Sequence, residues 1–145
     1  MHLPRILGLV LIGVLVCSPT FAEDDSYVCV AESAVGFDYN NTSKKWERTD
    51  FKTESKYVVS KSSDASKGWE VKKIGQSEGT SCGNGFDENG FIRCSGIIDF
   101  LMNNKSLRYI VSHLFGYVIK EYPEGSQLKE GSLTPYLEIG QCSPL

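Results

Sequence analysis

Four cysteines spread along the chain, Cys29, Cys82, Cys94 and Cys142, constrain its possible folds more than any other feature. They follow a start that reads as a signal peptide over residues 1–22. One Arg in a short basic opening precedes the apolar run Ile6 to Val16, and Thr20-Phe21-Ala22 places small residues where signal peptidase requires them, before Glu23. The apolar run spans about 11 residues, against the roughly 20 that a spanning helix needs, so the start reads as a cleaved leader and not as a membrane anchor. Cys17 follows Val16, a poor fit to a lipoprotein signal, which wants a small residue before its cysteine. The expectation is an exported chain, periplasmic or secreted, with no integral membrane span after cleavage.

Cleavage would remove Cys17, the fifth cysteine, and the even number left in an exported chain implies disulfides, four cysteines allowing three connectivities. The spacing suggests Cys29 with Cys142, tying the first strand to the last, and Cys82 with Cys94, closing a Gly-rich loop. In the chain-entropy picture the short bridge stabilises by about 3 kcal/mol and the long one by about 4.7 kcal/mol. No Cys-x-x-Cys occurs and the cysteines lie far apart, so a structural framework is favoured over a redox or metal site.

Removing 22 of 145 residues leaves 123, the size of one compact domain over 23–145. One of the 15 basic residues and none of the 18 acidic residues leaves with the leader, so 14 − 18 gives a net charge of −4. Lys and Arg never cluster beyond Lys44-Lys45 and Lys72-Lys73. The basic footprint of a nucleic-acid or anionic-membrane binder is therefore missing.

The densest apolar stretch runs from Phe91 to Lys120. Asn103-Asn104-Lys105 divides it into IIDFLM and LRYIVSHLFGYVI, which reads as a central hairpin turning through asparagine. The alternative is α+β with a helix over Leu107–Lys120, because Leu107, Ile110, Val111, Leu114, Phe115 and Val118 also fit helical spacing. Ile, Val, Tyr and Phe dominate the stretch and Gly116 interrupts it, which favours strand. Further strands are expected at Tyr27–Val30, Val35–Tyr39, Trp46–Phe51, Lys56–Ser60, Trp69–Ile74 and Tyr136–Ile139, and a loop or tight hairpin at Gln76–Gly90. The fold expected is all-β, a small disulfide-braced antiparallel meander of about eight strands, with the first strand beside the last in a closed or nearly closed barrel.

No motif fixes a reaction. His113 is the one histidine left after cleavage, no Gly-x-Ser-x-Gly elbow accompanies it, and its bland reading is a strand residue or a hydrogen-bonded core imidazole. Asp87-Glu88-Asn89-Gly90 fails the EF-hand pattern and reads as a turn. The glycines at Gly83 and Gly85 are followed by acids rather than by a Lys-Ser/Thr helix, so they are no phosphate cradle. Neither a metal site nor a cofactor is indicated. Trp46 and Trp69, with Tyr57, either line a ligand site or pack the sheet, and Tyr109, Tyr117 and Arg108 are candidate binding anchors on the same terms. Asn40, Asn41 and Asn104 each open a glycosylation sequon, which matters only in a eukaryotic secretory pathway.

Tyr27-Val28-Cys29 at one end and Cys142 at the other resemble the ends of periplasmic lysozyme inhibitors, small exported β-barrels that open on Tyr-x-Cys and close with a Cys. The resemblance covers the ends only, since their Ser-Gly-containing inhibitory loop has no counterpart between Phe37 and Phe91. Three functional expectations follow from the residues themselves. The first is a non-catalytic exported binding or inhibitor module for an extracytoplasmic protein or glycan. The second is a small hydrolase using carboxylates, assisted by His113 or a tyrosine. The third is a structural envelope component.

Overall fold

The computed structural model describes residues 26–118 and 124–145. The leader at 1–22, the end of the apolar run at Lys120 and the turn signal at Tyr122-Pro123 lie outside these residues. The strands, in chain order, are β1 (Tyr27–Asn40), β2 (Lys45–Phe51), β3 (Lys56–Lys61), β4 (Trp69–Lys73), β5 (Thr80–Ser81), β6 (Phe91–Ser95), β7 (Asp99–Asn103), β8 (Arg108–His113) and β9 (Tyr136–Pro144). A short helix, α1, occupies Phe115–Val118.

All the strands form one antiparallel sheet in the order β5-β4-β3-β1-β9-β8-β7-β6, with β2 added beside β1. This is a meander rolled into a nearly closed barrel. The first and last strands are neighbours, as expected: β1 and β9 pair over most of their length, and Cys29 lies opposite Cys142, to which it is disulfide-bonded. The sheet path ends at β5 and β6, and there the second bridge, Cys82 to Cys94, joins the residue after β5 to the penultimate residue of β6. The short disulfide thus staples the seam of the barrel as well as closing a Gly-rich loop.

The two strands expected at Tyr27–Val30 and Val35–Tyr39 are a single strand, β1, with a bulge between Ala31 and Ser33. One extra residue in one strand shifts the side-chain alternation, so the same face is carried by odd positions before the bulge and even positions after it. Cys29 points inward before it, and Ala34 and Gly36 do so after it. The lower half of β1 pairs with β3 and the upper half with β2.

The central hairpin is present. β7 and β8 pair antiparallel, and their turn is tied by the Leu107 amide donating to the Asn103 carbonyl (2.9 Å) and by Asn103 Oδ1 accepting from the Lys105 and Ser106 amides, each at 3.0 Å. Among the described residues, up to Val118, the helical spacing expected over Leu107–Lys120 yields no long helix. β8 runs to His113, opposite Tyr136 at the start of β9, and the short α1 follows within the described residues. Gly116 is needed there, because a Cβ would sit 1.7 Å from the Leu133 carbonyl oxygen.

Side chains fill the barrel. Tyr57, Phe100, Ile92, Met102, Val59 and Val111 are fully buried, and the Phe100 and Tyr109 rings stack at 5.3 Å with Tyr57 tilted against Phe100 and edge-on to Tyr109. Each such residue contributes about 1.5–3 kcal/mol of apolar transfer. No helix among the described residues is long and apolar enough to cross a membrane.

Candidate functional site

On the closing strand, Tyr136-Leu-Glu-Ile139, a hydropathy reading would turn Leu137 and Ile139 inward. The structure does the opposite. Glu138, Gly140 and Cys142 face the barrel interior, while Leu137 (41% exposed) and Ile139 (49%) face out. The disulfide sets this parity: Cys142 must meet the buried Cys29, and residues two and four positions before it share its face. Gly140 admits the crowding, since a Cβ there would lie 2.1 Å from the Val30 carbonyl oxygen and 2.6 Å from the Tyr109 ring.

Outside the barrel, the inverted face of β9 meets the re-aimed half of β1. Leu137 lies opposite Val35, and Phe37 opposite Arg48 of β2. Together they floor a groove of about 800 Å³. One wall comes from β2 through Trp46 and Arg48; the other comes from the chain leaving β8, through Leu114, Tyr117 and Val118. Trp46 stands between Tyr39 and Tyr117, with ring centroids at 5.3 and 5.9 Å, so the walls are joined by aromatic contacts at one end. Gly131 backs this cluster at φ +82, where a Cβ would lie 2.6 Å from Tyr39.

The groove exposes apolar surface among the described residues. Phe37 is 50% exposed and Tyr117 63%. Beyond Leu137 the apolar surface continues along the outer row Leu101–Ile110–Ile139, three residues paired across β7, β8 and β9. The outward positions of β4, Glu70 and Lys72, are polar by contrast. Among the described residues, Arg48 is the one charged residue lining the groove, and its guanidinium lies 3.4 Å from the exposed Asp50 carboxylate. Exposed pairs of this kind contribute about 0–1 kcal/mol.

Of the residues singled out from the sequence, Trp46 and Tyr117 are in the groove. Trp69 is not; it is buried, edge-on to Phe86 at 5.1 Å, beneath Gly85, whose φ is +94 and whose Cβ would strike the indole. Tyr109 is a core residue, 3% exposed, and is unavailable as a surface anchor. Arg108 is exposed on the outer face of β8, four residues before Ser112, whose partner is Leu137. Val35, Phe37, Arg48, Leu114, Val118 and Leu137 were not singled out. The signal for Leu137 was present in the spacing to Cys142, but that for Val35 and Phe37 depends on a bulge with no local sequence mark.

A second polar feature lies inside the barrel. The Tyr109 hydroxyl donates to Glu138 Oε1 at 3.1 Å, and Glu138 itself is 4% exposed. Burial, reinforced by the Glu138 charge, holds the Tyr109 and Tyr57 hydroxyls protonated far above the ordinary tyrosine range; a serine, Ser55, opposes the shift at Tyr57. Tyr136 is pushed in the same direction, again by burial first and Glu138 second.

His113 is a satisfied core imidazole. Its Nδ1 donates to the Thr134 carbonyl at 3.0 Å, and its ring stacks on Tyr136 at 5.8 Å. The Asp87 carboxylate accepts from the Asn89 and Phe91 amides at 2.9 and 2.8 Å, so it serves the turn. Among the described residues, no group of three or more His, Cys, Asp or Glu is placed to hold a metal.

Fold and groove together define a class: a disulfide-braced eight-stranded meander barrel with a filled interior and an apolar groove on its outer wall. The two disulfides suit an oxidising, extracytoplasmic setting. Compared with protein-family models, curated proteins and solved structures, the chain matches none.

Proposed function

We propose that this protein is exported by its leader and acts as a non-catalytic binding or inhibitor module that recognises an extracytoplasmic protein through the outer groove. The observation that carries this reading is the position of the apolar surface. It lies outside a barrel whose interior is already packed, on one wall, and runs on from the groove to the Leu101–Ile110–Ile139 row. Contiguous exposed apolar surface on a small domain marks an interaction site. A glycan is the weaker partner, because sugar recognition needs several hydrogen-bonding groups beside the aromatic rings and Arg48 is the one charged residue among the described lining residues. The hydrolase reading is the weaker one, since His113 is engaged by the Thr134 carbonyl and the carboxylate–tyrosine pair Glu138 and Tyr109 is buried inside the barrel.

The mature protein and its Leu137→Lys variant, used as paired baits on envelope and culture-medium fractions and read by mass spectrometry, test the proposal. One protein held by the first bait and lost by the second is expected. Absence of any groove-dependent partner, together with hydrolysis of a panel of glycans or esters, overturns it.

A further inference from the structure

We propose that the groove takes a partner segment carrying an apolar side chain next to a carboxylate, the side chain seated over Phe37 and Leu137 and the carboxylate on Arg48. This rests on the reading of the groove as a protein-binding surface. Three observations carry it. The floor and the α1 wall are aliphatic and aromatic, so the seated group is apolar. Among the described residues of the lining the one charged side chain is a cation, Arg48, whose partner Asp50 touches it at 3.4 Å on an exposed face. An incoming carboxylate that meets the guanidinium with paired donors displaces a contact of little value and gains a charge-assisted one. Apolar floor and Arg48 together complement an apolar group flanked by an acid and disfavour a basic one.

The shape favours a protein segment over a free acyl anion of the same chemistry. The groove is a depression open to solvent and continuous with the Ile110–Ile139 surface, whereas small-ligand sites enclose most of their ligand's surface. An acyl chain lying there would keep one side in water; a protein face covers groove and row together.

Selection of a random-peptide phage library on the mature protein, on Arg48→Gln and on Leu137→Lys tests the proposal, with circular dichroism confirming that each variant is folded. Both substituted side chains are exposed, so neither change opens the core. The wild type is expected to enrich peptides with a bulky apolar residue beside Asp or Glu. Arg48→Gln is expected to keep the apolar preference and lose the acidic one, weakening a selected synthetic peptide by about three- to tenfold. Leu137→Lys is expected to abolish enrichment. Apolar peptides selected without acidic preference, or unaffected by Arg48→Gln, overturn this inference while leaving the protein-binding module standing. No enrichment that depends on Leu137 overturns both. Decanoate bound by the wild type in place of any peptide assigns the groove to acyl anions and overturns the inference as well.

Discussion

Raising the pH above 10 should unfold this barrel, and the buried tyrosines set the rate at which stability is lost. Tyr57 and Tyr109 are 1% and 3% exposed and sit beside the buried Glu138 carboxylate. Burial foremost, and Glu138 after it, keep both hydroxyls protonated in the fold well past the point at which a tyrosine in an unfolded chain ionises, about pH 10. Below that pH folded and unfolded chains hold the same tyrosine protons, and the contribution is complete. Above it the unfolded chain releases protons that the folded chain retains, and stability falls by about 1.4 kcal/mol per pH unit for each tyrosine. Two tyrosines give about 2.7 kcal/mol per unit, or roughly 4 kcal/mol by about pH 11.5, comparable to the whole stability of a small domain. Tyr136, half-buried and shifted the same way, adds to the slope. Urea unfolding at a series of pH values, alongside tyrosinate absorbance, reads both quantities. Tyr57→Phe should reduce the slope above pH 10 by about 1.4 kcal/mol per unit. If all seven tyrosines ionised in one phase near pH 10 while the far-UV spectrum remained native, the placement of Tyr57 and Tyr109 around Glu138 would be refuted.

Three other outcomes are expected. Cys82→Ser with Cys94→Ser opens the barrel seam and should lower stability by about 3 kcal/mol by thermal or urea unfolding, with faster amide exchange confined first to β5 and β6; exchange spread evenly over the sheet would contradict the seam. Gly140→Ala places a methyl against the Val30 carbonyl and the Tyr109 ring and should cost about 1–3 kcal/mol, so an unchanged melting temperature would count against the close approach of β1, β8 and β9. Expression of the full chain with its leader should yield an extracytoplasmic protein whose first residue by Edman sequencing or intact mass is Glu23, and retention of residues 1–22 would reject the cleavage reading.

The sequence alone determined the parts of this protein that depend on covalent spacing and local pattern. Cysteine count and distribution led to two bridges and to adjacent first and last strands. Asn103 marked a hairpin and Asp87 a turn because their side chains satisfy backbone amides locally. Strand-rich composition led to the antiparallel meander. The side of each strand that faces the core was decided only by tertiary structure, because a period of two leaves both assignments open until something breaks the symmetry. In β9 the Cys142 crosslink breaks it, turning an acid inward and two aliphatics out. In β1 an extra residue near Glu32 breaks it halfway, which is how Val35 and Phe37 come to lie beside Leu137. The groove arises from those two inversions meeting on adjacent strands, a coincidence of register among residues about a hundred positions apart that no local window of the chain contains.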